Sequence, residues 1–217
     1  MYVVLIGGGS VDKIKKFFAR FDYNSPVILT YAIICVVLLI INDITKDWLN
    51  DLLLISRGHP NLLNPLTYPR AVLHIFGHVN WNHLLNNMIL MMLVGPAVEE
   101  RYGSWNLCIM ILTDAIATAV VNGIFSSHGI IGASGVVFML IILSAFTNMR
   151  KGKIPVTLCI VSALYFGQEI YSAINTPNDG VSRMGHILGG VVGLIYGIIF
   201  YNMKFKNSGY SADYSKK

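Results

Sequence analysis

Residues 131–149 read IGASGVVFMLIILSAFTNM: a serine among small residues, then an apolar run without a charged side chain, closed by Arg150 and Lys151. A stretch of that kind approaches the roughly 20 residues that cross about 30 Å of hydrocarbon. A spanning segment must satisfy its own backbone hydrogen bonds, so it reads as a helix. Five further stretches, each ended by charge, proline or glycine, share the pattern: Pro26–Ile41, Trp81–Val98, Trp105–Ile124, Ile154–Ile174 and Met184–Met203. Composition agrees. Of 217 residues, 54% are apolar and 12% charged, against about 25% charged in an ordinary soluble domain. That excludes a cytosolic domain, a disordered chain and a nucleic-acid binder, despite a pI near 9.1. The expected fold is an all-α membrane protein, a bundle of six transmembrane helices.

Working outward, the basic residues set the orientation. With the N-terminus inside, the inner segments hold twelve: Lys13, Lys15, Lys16, Arg20, Arg101, Arg150, Lys151, Lys153, Lys204, Lys206, Lys216 and Lys217. The outer ones hold four, namely Lys46, Arg57, Arg70 and Arg183. This positive-inside asymmetry, with an even number of spans, makes both termini cytoplasmic. The chain then divides into a cytoplasmic segment 1–25, a six-helix domain 26–203 and a polar tail 204–217. The apolar start Met1–Ile6 is too short for a signal-peptide core. Gly7-Gly8-Gly9-Ser10 imitates a dinucleotide fingerprint, but a second strand and an acidic residue at the right distance do not follow. Lys13–Arg20 mixes basic and aromatic residues, as a helix lying on an anionic membrane surface does. The long connection Asn42–Asn80, with Trp48, Pro60, Pro65 and Pro69, reads as a structured loop partly sunk in the interface. Cys35, Cys108 and Cys159 all fall in apolar runs and form no disulfide framework.

Strongly polar groups inside spans are functional candidates by default. In this topology Ser134 lies at the outer start of the fourth span and His186 near that of the sixth. His83 and Asn87 lie in the first turns of the second. Three helices thus bring a hydroxyl, two imidazoles and a carboxamide to a similar depth, which apolar periodicity does not require. Serine is a poor nucleophile until an adjacent base takes its proton, and imidazole is the usual base. His83 and Asn87, four apart, share one helix face and could donate hydrogen bonds to an oxyanion. No carboxylate lies near His186 in sequence, which favours a dyad over a triad. Taken alone, Gly132-Ala133-Ser134-Gly135 would be a helix-packing motif, and Gly185, Gly189, Gly190 and Gly193 a close-packing face.

With these residues in hand the sequence resembles the rhomboid family of intramembrane serine proteases over about Pro26 to Met203. The matching residues are Arg70, His74, His78, His83-Leu84-Leu85-Asn86-Asn87, Glu99-Glu100-Arg101-Tyr102-Gly103-Ser104, Gly132-Ala133-Ser134-Gly135 and Gly185-His186-Ile187-Leu188-Gly189. Their order and the 52-residue gap from Ser134 to His186 fit as a set. The resemblance implies Ser134 as nucleophile and His186 as general base, with His83, Asn87 and the Ser134 amide as oxyanion hole. It implies that His78 orders the first loop near the site and that Arg70 braces that loop. Glu99 and Arg101 would be structural, and Gly189 and Gly193 would let the sixth helix pack on the fourth. Gly132, Gly135 and Phe138 would support the nucleophile. Two positions depart from the family pattern: Pro69 stands where Trp often precedes the arginine, and Phe138 where Tyr often stacks on the catalytic imidazole. Stacking survives the second change and a hydroxyl bond is lost.

The reaction so implied is cleavage of a substrate's transmembrane helix near the outer interface through an acyl-enzyme, with no cofactor. Its partners are transmembrane-helix proteins and the bilayer, not nucleic acid. The compact form is similar to bacterial members, which implies an inner or plasma membrane. Rival readings are an inactive rhomboid-like protein that binds membrane clients, and a small transporter, which would predict inverted repeats between the halves. Repeats of that kind are not visible by eye. A metal site at His74, His78 and His83 lacks a His-Glu-x-x-His pattern and a carboxylate in register. Asp114 and Glu169 are read as structural, the carboxyl protonated or bonded to a neighbouring helix, with a water-filled cavity as the alternative. The Asn175–Arg183 loop has the composition of a mobile cap.

Overall fold

The computed structural model describes residues 15, 17, 22–147, 149, 153–175 and 183–207, the side chains at 165, 168, 169, 172, 173 and 204–207 excepted. The readings of segment 1–21 (residues 15 and 17 apart), the Glu169 side chain, residues 176–182 and the 208–217 tail lie outside these residues. What is described is all-helical, with one isolated pair, Ser56 with Ile130, in place of any sheet. The helices are α1 (Pro26–Ile44), α2 (Thr67–Leu73), α3 (Trp81–Tyr102), α4 (Ser104–Phe125), α5 (Ser134–Phe146), α6 (Val156–Asn175) and α7 (Arg183–Asn207). Each of the six apolar stretches therefore contains a helix. By length and apolarity α1, α4 and α7 can each cross a membrane, and α5 is a shorter apolar helix. Large apolar side chains such as Leu93 on α3, Ile124 on α4 and Ile195 on α7 face outward, as hydrocarbon surroundings require.

The loop before α3 is structured, as expected. It holds a wide helical turn at Asn50–Leu54, α2, and a tight turn at His74–Phe76. Buried Arg70 knits it together, donating from Nε and Nη2 to the Leu52 carbonyl (3.1 and 2.8 Å) and from Nη2 to that of Asp51 (3.2 Å). Asn50 Nδ2 donates to the His78 carbonyl at 3.1 Å, tying the turn to the residues just before α3.

Helix α1 begins with Pro26 at its first position, where a missing N–H costs nothing. Its next two amides are satisfied from 72 and 71 residues away. Val27 and Ile28 each donate at 3.0 Å to the buried Glu99 carboxylate, which also accepts from Ser104 Oγ at 2.7 Å. Glu99 thus joins α1, α3 and α4 at one end of the bundle. Glu99→Ala would strand one buried amide, one partly buried amide and a partly buried hydroxyl. At roughly 1–3 kcal/mol for such a loss, partly relieved by water, about 3 kcal/mol of destabilisation is expected. In a chain this long that is a thermal midpoint about 6–12 °C lower in detergent, and an unchanged midpoint would refute the role. Gly103 then turns the chain from α3 to α4 in a single residue, at φ +82°, a conformation that favours glycine.

The fourth stretch corrects the sequence reading. The apolar run begins at Ile131, yet α5 starts at Ser134 and ends at Phe146. Ile130 is held extended by paired backbone bonds to Ser56 (2.8 and 3.0 Å), and Gly132 adopts φ +131°. Neither is compatible with helix. At 1.5 Å per residue the 13 residues rise about 20 Å, less than a hydrocarbon core. Irregular backbone is tolerated beside such a helix when protein covers it, and Ile130, Gly132 and Ala133 are indeed buried. Helix α5 is the centre of the bundle. Its Val136, Val137, Met139, Leu140 and Leu143 are buried among Met91 and Val98 of α3 and Leu107 and Met110 of α4. Its principal neighbour is α7. There glycine is obligatory: a Cβ on Gly189 would strike the Gly135 carbonyl, and one on Gly193 would lie 2.7 Å from the Met139 oxygen.

Candidate active site

Ser134 is the first residue of α5, and the backbone leading into it is pinned. The Gly132 amide donates to the His74 carbonyl at 2.9 Å. A side chain at Gly132 would meet the His83 ring, at 2.7 Å from Cε1 and 3.0 Å from Nε2. The imidazole of α3 therefore lies against the chain two residues before the serine. His83 is placed by its own helix start, where the Asn80 side chain caps by accepting from the His83 amide at 2.8 Å. One turn on, Asn87 is buried, and its Nδ2 finds no hydrogen-bond partner among the described residues.

From the other side comes His186. Its ring stacks on Phe138, one turn after Ser134, with centroids 4.3 Å apart and planes at 16°. The preceding Gly185 carbonyl lies 3.3 Å from where a Gly135 Cβ would stand, so the starts of α5 and α7 are in contact. The structure thus brings Ser134, Gly132, Gly135, Phe138, His186, Gly189 and His83 to one end of the bundle. His78 borders the group, with its ring 5.1 Å from that of His83 at 67° and its Nδ1 3.3 Å from the Phe76 carbonyl. Burial pushes the His78 imidazole down to about 4, with nearby His83 acting in the same direction. Burial likewise takes His74 down to about 4, against carbonyls of Arg70 and Ala71 that favour its proton. Both loop imidazoles are neutral at pH 7.

Behind the serine is a cavity of about 20 Å³ bordered by His74, Asp114, Thr118, Gly132, Ser134 and Gly185. That is room for about one water. His74 Nδ1, both Asp114 oxygens and Thr118 Oγ1 are buried there without a partner among the described residues. The sequence left Asp114 between a helix-to-helix bond and a wet cavity; it borders the cavity. Thr118 was not singled out at all. Its signal was present, since Asp114, Thr118 and Asn122 recur every four residues and make one polar stripe along an otherwise apolar helix. Among the described residues no three His, Cys, Asp or Glu side chains are grouped to hold a metal.

Comparison with known proteins adds to this geometry. Residues 66–203 match the model of the Rhomboid domain. The chain is 29% identical to Rhomboid-related protein 1 of Caenorhabditis elegans over 144 residues, 62% of this chain and 40% of that protein. It is 23% identical over 155 residues to Rhomboid-like protein 11, chloroplastic, of Arabidopsis thaliana, covering 65% and 55% of the two chains. It is 24% identical over 195 residues to Rhomboid protease GlpG of Yersinia pestis (strain Pestoides F), covering 82% and 66%. The chain thus spans about half the length of the first two of these relatives.

Proposed function

The chain belongs to the rhomboid family of integral membrane proteins, and from that premise we propose that it is an intramembrane serine endopeptidase. The observation that carries this reading is the His186 ring stacked on Phe138, one helical turn from Ser134. In this reading α1 and α3–α7 cross the bilayer, with both termini in the cytoplasm and residues 26–203 as the protease domain. The bilayer is the inner or plasma membrane of a cell. The short α5 then begins its serine well below the outer headgroups.

His186 takes the proton from Ser134 Oγ as that oxygen attacks the scissile carbonyl carbon. The carbonyl oxygen gains negative charge and receives hydrogen bonds from Asn87 Nδ2, His83 and the Ser134 amide. An Nδ2 buried and unpartnered among the described residues is a donor held ready for the oxyanion. Collapse of the tetrahedral intermediate breaks the C–N bond, and His186 returns its proton to the leaving amine. A water, activated by the same imidazole, hydrolyses the acyl-Ser134 ester. The substrate is a transmembrane helix that unwinds locally near the outer interface, because helical hydrogen bonding otherwise shields its peptide bonds.

The test is incubation of the purified chain with model transmembrane substrates and mapping of the cut by mass spectrometry. A single cut within the outer part of the substrate helix is expected, and absence of cleavage across the panel would overturn the reading. In the same assay Asn87→Ala should lower turnover by about 10²–10³, the usual cost of one oxyanion donor. Full activity of that variant would remove Asn87 from the oxyanion hole.

A further inference from the structure

A cavity of about 890 Å³, Ser134 not among its described lining residues, lies between the 56–71 segment and the last turns of α4. Small-molecule sites commonly measure about 300–1,000 Å³. The space is built, not left by a loose loop. Ser56 pairs with Ile130, the His59 amide donates to the Gly123 carbonyl at 3.1 Å, and Gly58 packs on the 126–127 backbone too tightly for any side chain. His59 is held there in a left-handed conformation, φ +44°.

The two sides of the cavity differ in chemistry. Along α4 the wall is apolar, made by Ala119, Val120, Gly123 and Ile124, with Val120 and Ile124 more than half exposed. Leu62 and Leu63 of the loop beside it are exposed as well, a surface suited to hydrocarbon. The loop wall carries Arg57, His59 and Arg70, and no carboxylate is among the lining residues described. Both guanidiniums spend donors on backbone carbonyls, Arg57 on Asp51 (3.1 Å) and Arg70 on Asp51 and Leu52. Carbonyls orient a guanidinium without neutralising it. The Asp51 carboxylate offsets part of the Arg70 charge while Arg57 opposes it, so two positive charges meet one negative.

We propose that this cavity binds one phospholipid with an anionic headgroup, its phosphate on Arg57 and His59 and an acyl chain along Ala119, Val120, Gly123 and Ile124. An apolar groove of this size at the edge of a membrane helix is filled by a lipid tail, because an unfilled one forfeits dispersion contacts along its whole wall. A guanidinium binds a phosphodiester through paired donors. The net positive charge selects an anionic lipid over a zwitterionic one. The inference needs only that the chain is embedded in a membrane and is independent of the proteolytic reading.

The experiment titrates the purified full chain in detergent with phosphatidylglycerol or phosphatidylcholine of equal chain length and counts bound lipid by native mass spectrometry. One phosphatidylglycerol should bind, about tenfold tighter than phosphatidylcholine. Arg57→Glu should weaken phosphatidylglycerol about tenfold and erase the preference, whereas Arg57→Lys keeps part of it. Val120→Trp, which fills the apolar wall, should weaken both lipids alike. Arg57 and Val120 are exposed, and thermal unfolding of the same samples checks that the variants fold. Equal affinity of the wild type for both lipids, unchanged binding in Arg57→Glu and Val120→Trp, or displacement of the lipid by inorganic phosphate alone would each overturn the proposal.

Discussion

Ser134→Ala is expected to abolish cleavage of a transmembrane substrate, with a loss of at least about 10⁴ in turnover, and His186→Ala to match it. In serine hydrolases, removing either the nucleophile or its base costs about as much as removing both, because the two act as one unit. The matched loss follows from the geometry as well as the chemistry. His186 stacks on Phe138, and Phe138 stands one turn from Ser134, so the base is held by the helix that carries the nucleophile. Without the imidazole the hydroxyl keeps its proton; without the hydroxyl the imidazole has nothing to activate. A fluorophosphonate probe in detergent gives a second readout that needs no substrate. Labelling of the wild type should vanish in Ser134→Ala, and equal labelling of both would end the assignment. A variant of His186 that keeps wild-type turnover would dissolve the dyad while leaving the family membership intact.

The second large effect lies where α5 meets α7. Gly189→Ala adds one methyl group, but it would be directed at the Gly135 carbonyl, with the Gly135 carbonyl carbon 2.7 Å and Cα 3.0 Å away. These are backbone atoms in a helix and cannot swing aside. The helices must separate, and the residue displaced on α5 is the neighbour of Ser134. Overpacking usually costs about 1–3 kcal/mol, so a thermal midpoint lower by several degrees is expected. The catalytic loss should be disproportionate, about 10² or more, since a displacement near 1 Å between reacting groups has that effect. Measuring midpoint and turnover together separates the two. Turnover that falls no more than the folded fraction would show that the contact serves packing alone.

Much of this architecture could be read from residues alone, for reasons that differ by element. Each of the six apolar stretches contains a helix, the structure expected of a polar backbone in hydrocarbon. Helix α6 begins at Val156, just after Pro155 and two residues into the stretch that starts at Ile154. The start of α5 was misread by three residues. Apolarity is blind to backbone conformation, and only the pairing of Ile130 with the distant Ser56, together with Gly132 at φ +131°, shows that the chain is not yet helical there. For the site, the imidazoles are conspicuous because a strongly polar group is out of place in a span, whereas the glycines alone read as packing residues. Thr118 was passed over, since a lone threonine in a membrane helix looks like a packing residue until its period with Asp114 and Asn122 is noticed. The cavity under Arg57 and His59 was beyond sequence reading altogether. It exists only because a loop and a helix end, some 60 residues apart, are fastened at Gly123 and Ile130.

The Glu99 carboxylate also bears on how the molecule is made. It follows by 72 residues the Val27 amide that it receives. Chains emerge from the ribosome with their N-terminal portion first, so in the proposed topology α1 enters the membrane while the donors at its leading end face water or headgroups. They can be closed off only after α3 has been synthesised and has come alongside. In that topology α1 gains its last backbone partners only when α3 arrives, through a single side chain.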